Sequence, residues 1–131
     1  MSLIKGIYAA SLSVINENLS LNIGKTIKHA ESIIDYGCHG VVFFGSTGQS
    51  QLISLSEKIL LINELPRSRY KEKFIIGTGS NSLIDTISIM RNSINLGFDK
   101  FLIMPPAYYK YDDDDVINFY SKIINELKEC K

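Results

Sequence analysis

Three short segments of this sequence are rich in small and hydroxyl-bearing residues that could bind a polar ligand. They are Gly45–Ser50 (GSTGQS), Gly77–Asn81 (GTGSN) and Pro105–Lys110 (PPAYYK). Small residues let backbone N–H groups approach an anion closely, and the hydroxyls of Ser46 and Thr47 add two donors beside them. The first segment therefore suits a carboxylate or a phosphate, or it simply turns a strand into a helix. It matches neither a Walker A loop nor a dinucleotide-binding fingerprint.

Adjacent tyrosines in the third segment offer phenolic hydroxyl groups. Tyr108 and Tyr109 follow an apolar run that ends at Met104. Their hydroxyls could relay protons or bind a polar substrate atom. The alternative is that the two rings pack beneath their own loop, as adjacent aromatic residues often do.

The remaining reactive side chains favour structural roles. The acidic run Asp112–Asp115 stands where a helix would begin, so we interpret it as an N-terminal cap and not as a metal site. His29, His39 and Cys38 have no second ligand at a suitable spacing. Cys38 and Cys130 form no closely spaced pair, which is typical of a reduced, cytoplasmic protein. We expect neither a metal nor a cofactor site.

Composition excludes several classes of partner. The chain has 131 residues, with 14 basic and 14 acidic side chains and a net charge of zero. Without a basic stripe, nucleic acid is not expected as a partner. The apolar runs are too short to span a membrane, and 45% hydrophobic residues is typical of a globular core.

Short apolar runs alternate with segments of helical period. The runs predict strands over Gly6–Ser11, Gly40–Phe44, Phe74–Gly77 and Phe101–Met104. The helical stripes are Ile23/Ile27/Ala30/Ile34, Leu55/Ile59/Ile62, Leu83/Ile87/Met90/Ile94 and Val116/Phe119/Tyr120/Ile123/Leu127. This βα order predicts a parallel sheet, and no linker divides residues 1–131. Each polar segment described above then follows a strand, at the end where parallel α/β folds bind ligands.

These motifs together resemble the dihydrodipicolinate synthase / N-acetylneuraminate lyase family. Gly40–Gly48 (GVVFFGSTG), with Glu57 further on, is similar to the strand and G-[S/T]-T-G-E loop of the family. Gly77–Ser82 (GTGSNS) and Met104–Lys110 (MPPAYYK) are similar to its next two loops. The family consists of pyruvate-handling class I aldolases built on a (β/α)₈ barrel, so the resemblance implies an α/β fold of that type.

The resemblance also implies roles for particular residues. Ser46 and Thr47 would bind the carboxylate of pyruvate, and Ser46 would link to a proton relay that includes Tyr109 from a second subunit. The full-length form would be a homo-oligomer, either a dimer or a tetramer. In the family, pyruvate forms a Schiff base with a lysine, and the resulting enamine adds to an aldehyde, or the reverse cleavage occurs. We expect a dihydrodipicolinate synthase-like activity, with an N-acetylneuraminate or 2-keto-3-deoxy sugar acid lyase as the alternative.

The sequence departs from the family pattern most clearly in its lysines. The family's Schiff-base lysine and main acid–base tyrosine would lie beyond Lys131. Among the lysines present, Lys100 begins a strand and Lys110 follows Tyr109, and we expect none to be buried at the carboxyl end of a strand. In addition, Gln49 replaces the family's glutamate, and Ser13–Val14 stands where Thr-Pro is usual.

Length completes the expectation. Eight βα units need ~250 residues, so about four units make the N-terminal half of a barrel, a single incomplete domain. We therefore expect part of a longer enzyme, from a split or truncated gene or an incomplete sequence, that is inactive alone. The alternative of another class is a non-enzymatic half-barrel or an assembly subunit. The competing fold is a doubly wound domain, with helices on both faces of the sheet.

Overall fold

Four parallel strands alternate with four α-helices in the computed structural model, which describes residues 4–128. The strands are β1 (Tyr8–Ala10), β2 (Gly40–Phe43), β3 (Phe74–Gly77) and β4 (Phe101–Leu102). The helices are α1 (Ile23–Asp35), α2 (Leu55–Glu64), α3 (Leu83–Asn95) and α4 (Asp113–Leu127). Each strand and helix predicted from periodicity is therefore present, although β1 and β4 are shorter than the predicted runs Gly6–Ser11 and Phe101–Met104. Cys130 lies outside the described residues.

The strands are ordered β1-β2-β3-β4 across the sheet, and each pairs in parallel with the next. Every crossover therefore connects neighbouring strands. Right-handed crossovers that all run in one direction along the sheet place their helices on the same face. In agreement, α1 contacts α2, α2 contacts α3 and α3 contacts α4. The helices do not divide between two faces, so the arrangement is a segment of a barrel and not a doubly wound domain.

The hydrophobic core lies between the sheet and the helices. Val41, Phe43, Phe74 and Ile76 point to this side and are almost completely buried. The rings of Phe43 and Phe74 meet edge to face, with centroids 5.1 Å apart. On the opposite face Leu102 is 50% exposed, because neither helices nor further strands cover it among the described residues.

Capping residues mark where the helices begin and end. Capping boxes are formed over Ser54–Glu57 and Asp112–Asp115, so the acidic run is confirmed as a helix cap. Gly37 and Gly97 follow α1 and α3 with φ of 106° and 87°, the left-handed conformation that glycine adopts without strain. Among residues 4–128, no helix has the length and apolar character needed to cross a membrane.

Candidate functional site

The three polar segments meet at the carboxyl edge of the sheet. A cavity of about 230 Å³ lies between them. Ser46 and Ser50 line it from the segment after β2, Gly79 lines it from the segment after β3, and Pro105 lines it from the segment after β4. The expectation that parallel strands bring these loops together is therefore met, and Ser46 faces the shared space.

The loop after β2 presents consecutive backbone donors. The N–H groups of Ser46, Thr47 and Gly48 have no acceptor among the described residues. A bond of 3.0 Å from the N–H of Gln49 to the carbonyl of Ser46 closes the turn. Ser46 and Thr47 are both exposed, so their hydroxyls are accessible to a ligand, whereas Gly48 is buried. This arrangement, which we call the amide nest (residues 46–48), is suited to an anion.

Residues that follow β1 contact the amide nest. Ser13 Oγ donates a hydrogen bond of 2.6 Å to the carbonyl of Gly48. A Cβ at Gly48 would lie 2.9 Å from the carbonyl oxygen of Ser11, so this position is tightly enclosed. Although Ser13 stands where the family pattern has threonine, its hydroxyl still connects the loop after β1 to the loop after β2.

Glycines bring the loops after β2 and β3 into contact. A Cβ at Gly77 would lie 2.4 Å from the carbonyl oxygen of Phe43 and 2.7 Å from that of Phe44. Gly79 has a φ of +49°, and a Cβ there would lie 2.2 Å from Ser50 Oγ. No other residue fits either position without a shift, because a side chain would occupy the space of neighbouring atoms.

Backbone strain is concentrated in the same region. Among the described residues, four that are not glycine have positive φ: Leu19, Phe44, Gln49 and Tyr108. Phe44 and Gln49 flank the amide nest, and Tyr108 lies in the loop after β4. For a bulky residue this conformation is costly and persists only where the surroundings impose it, a situation that is common at functional sites.

Tyr109 lies at an exposed tip of the loop after β4. Tyr108 and Tyr109 are 93% and 73% exposed, and their rings meet edge to face with centroids 5.2 Å apart. They therefore do not pack beneath the loop. Within the described residues no hydrogen bond joins Tyr109 to Ser46. Of the two predicted carboxylate ligands, Ser46 lines the cavity and Thr47 does not, and the link between Ser46 and Tyr109 stays a prediction.

Lys58 is the residue that sequence reasoning missed. It lies on α2, is only 3% exposed, and its Nζ donates to the carbonyls of Thr78 (3.2 Å) and Gly79 (2.9 Å). Burial lowers the pKa of the Lys58 amine, and the charge of Asp85 offsets part of that shift. The expectation that no lysine is buried at the carboxyl end of a strand is therefore wrong. The available signal was the position of Lys58 three and four residues before the apolar Leu61 and Ile62.

The Lys58 amine lies apart from the cavity that Ser46 lines. It faces a second pocket of about 250 Å³ on the helix side of the loops. Ser50 and Gly79 line both spaces and so form the wall between them. Lys100, at the other end of β4, bonds to Asp99.

His39 has a structural partner far from these loops. Its Nδ1 accepts a hydrogen bond of 3.0 Å from the N–H of Ile7, just before β1. A Cβ at Gly6 would overlap the His39 ring, which packs directly on that backbone. Among the described residues, no cluster of three or more His, Cys, Asp or Glu side chains is arranged to hold a metal ion.

Comparison with known proteins identifies the family. The model of the dihydrodipicolinate synthetase family matches residues 3–129. This chain belongs to that family. A DapA-like lyase of Chloroflexus aurantiacus, itself uncharacterized, is 37% identical over 92 residues, which is 70% of this chain and 31% of the relative. A 4-hydroxy-tetrahydrodipicolinate synthase of Desulforudis audaxviator is 28% identical over 118 residues, which is 89% of this chain and 40% of the relative.

The solved structures support the same conclusion about the fold. The N-acetylneuraminate lyase of Fusobacterium nucleatum superposes with a TM-score of 0.83 at 27% identity, over 93% of this chain and 43% of that structure. The chain therefore spans less than half the length of the relatives it matches. Its four βα units form the N-terminal half of a (β/α)₈ barrel, as the sequence predicts.

Proposed function

We propose that this chain forms the pyruvate-binding part of a pyruvate-dependent aldolase. The observation that carries the proposal is the amide nest, where unpaired N–H groups accompany the exposed hydroxyls of Ser46 and Thr47, and Ser46 lines a small cavity. Pyruvate is a small anion, and its carboxylate would accept from these donors. Family membership supports this ligand over a phosphate.

The side chains around the nest would have two roles, carboxylate binding and proton transfer. Thr47 would bind the carboxylate, and Ser46 would bind it while also linking to a proton relay that includes Tyr109. Since Tyr109 is exposed and makes no hydrogen bond to Ser46 of its own chain, we infer that it serves the site of a second copy. A homodimer of the full-length form would then be the smallest active assembly.

The carbon–carbon chemistry requires an amine that we place outside this chain. A lysine amine would add to the pyruvate carbonyl, and the resulting carbinolamine would lose water to form an iminium. Loss of a proton from the methyl carbon would then give the enamine that attacks an aldehyde. Lys58 is bonded to two carbonyls behind the loops, and Lys100 lies at the opposite end of its strand. The lysine would come from further βα units, in the same or another polypeptide, that also cover the exposed Ile7 and Leu102.

Both named substrate classes remain compatible with these contacts. The described loops recognise only the pyruvate portion, which dihydrodipicolinate synthases and N-acetylneuraminate or 2-keto-3-deoxy sugar acid lyases would share. We propose the synthase-like condensation first and sugar-acid cleavage as its alternative.

Pyruvate titration of the ¹⁵N-labelled chain, followed by NMR, tests the proposal. We expect the amide signals of Ser46, Thr47 and Gly48 to shift with pyruvate and not with methyl pyruvate, which lacks the carboxylate charge. Ser46→Ala should weaken binding by about tenfold, since a hydrogen bond to a charged group is lost. Ser88→Ala, an exposed serine on α3, is the matched control and should bind as the wild type does.

Two outcomes would contradict the proposal. One is pyruvate binding whose shifts lie away from residues 46–48. The other is equal binding of pyruvate and its methyl ester, which would show that the nest does not recognise the negative charge.

A further inference from the structure

Lys58 is a buried cation for which the proposed chemistry has no use. Its amine is enclosed by three elements: its own helix α2, the loop after β2 through the Phe44 ring 6.0 Å away, and α3 through the charge of Asp85. No carboxylate forms a direct ion pair with it among the described residues. Its hydrogen-bond partners are instead two backbone carbonyls. Such a costly arrangement calls for a reason beyond filling space.

Those carbonyls belong to the point where β3 stops. Thr78 and Gly79 follow the last residue of the strand, and both are buried. A buried carbonyl that has left the sheet must find another donor. An ammonium group with several N–H bonds on a flexible stem serves two such acceptors at once. Lys58 therefore fixes the direction in which the chain leaves β3.

From Gly79 the contacts continue to both neighbouring loops. Gln51 Nε2 also donates to the carbonyl of Gly79, at 2.7 Å. Two residues further along the same loop, Asn81 Oδ1 accepts a hydrogen bond of 2.9 Å from the N–H of Ala107, the residue immediately before the two tyrosines. The carbonyl that Lys58 holds is thus two residues from the side chain that anchors the tyrosine loop.

We propose that Lys58 is a positioning residue that holds the loop after β3 in place and, through Asn81, sets the tyrosine loop relative to the amide nest. Lys58 contacts neither the cavity nor the reacting atoms. It acts through the backbone of Thr78 and Gly79. Only the ligand-binding consequence of this inference rests on the proposed function, since the loop contacts exist without a ligand.

Lys58→Met tests the inference because methionine keeps most of the stem and has no donor. We expect the backbone signals of Gly79, Asn81 and Ala107 to shift in an NMR spectrum of the variant. Lys28→Met, an exposed lysine on α1, is the matched control and should leave those signals unchanged. If the variant folds and the three signals stay at their wild-type positions, the inference is wrong.

A measurement on the wild-type chain covers the case in which the variant does not fold. The carbonyl ¹³C signals of Thr78 and Gly79 should titrate together, with a midpoint below the ordinary lysine value of 10.5, because they report the protonation of Lys58. Absence of the common step from Thr78 and Gly79 would overturn the inference.

Pyruvate binding separates this inference from the proposed function. Lys58→Met should bind pyruvate several-fold more weakly than Lys28→Met, since the neighbouring loops lose their register. If the wild-type chain binds no pyruvate, the proposed function fails, while the signals of Gly79, Asn81 and Ala107 still decide the role of Lys58. If pyruvate binds equally to both variants, the link from Lys58 to the ligand site is refuted.

Discussion

Replacing Gly77 with alanine should destabilise the chain by about 3 kcal/mol, the upper end of the usual cost of overpacking. The added Cβ would lie 2.4 Å from the carbonyl oxygen of Phe43 and 2.7 Å from that of Phe44. Both obstructing atoms are backbone, so no rotamer change relieves the overlap. Restoring an ordinary contact of 3.4 Å requires a movement of about 1 Å between the ends of β2 and β3.

Urea unfolding monitored by circular dichroism measures this cost. With a slope of about 2 kcal/mol per molar urea, the midpoint should fall by about 1.5 M. Gly24→Ala is the control, because a Cβ at Gly24 has nothing within 4 Å and α1 should gain up to about 1 kcal/mol from better helix propensity. The reasoning is refuted if Gly77→Ala is as stable as the wild type, or if both alanine variants change stability in the same direction.

Three further predictions concern the charged groups that order the helices and loops. Glu57→Gln should cost about 1 kcal/mol, since Glu57 accepts from Ser54 and from the N–H of Leu21, and these bonds lower its pKa below 4.5. The wild type should therefore lose its extra stability over Glu57→Gln as the pH falls through the lowered pKa of Glu57. Urea unfolding of both proteins between pH 3 and pH 7 should show their free energies of unfolding becoming equal at the acidic end. Asp112→Ala should cost about 1 kcal/mol by removing the cap of α4, with equal thermal stability counting against that role. The pKa of Lys58 is lowered in the folded chain, so protonation favours the unfolded chain. The free energy of unfolding of the wild type, relative to that of Lys58→Met, should therefore rise from neutral pH towards pH 10.5. A difference that stays constant with pH would contradict the lowered pKa.

Periodicity was sufficient to predict the elements and their order. Short apolar runs and helical stripes are set by which side chains must leave water, and this constraint acts locally. The capping boxes were equally accessible, because residues three apart in sequence satisfy each other. Consecutive order across the sheet follows from the βα repeat, and the family resemblance selected the barrel segment over a doubly wound sheet.

The finer features of the site depended on contacts between distant segments. Ser46 and Thr47 could be proposed from composition, but the lack of acceptors for the nest amides appears only when the loop is folded. Lys58 was missed because a charged residue on a helix is usually exposed, and its two acceptors lie 20 and 21 residues away. The proposed relay between Tyr109 and Ser46 joins two copies of the chain, so the contacts within one chain do not form it.

A crystal structure of the chain soaked with pyruvate tests the central claim most directly. We predict density for the pyruvate carboxylate within hydrogen-bond distance of the N–H groups of residues 46–48 and the hydroxyls of Ser46 and Thr47. No lysine of this chain should be joined to the carbonyl carbon of pyruvate. Pyruvate bound elsewhere, or a covalent bond to Lys58 or any other lysine of this chain, would contradict the account.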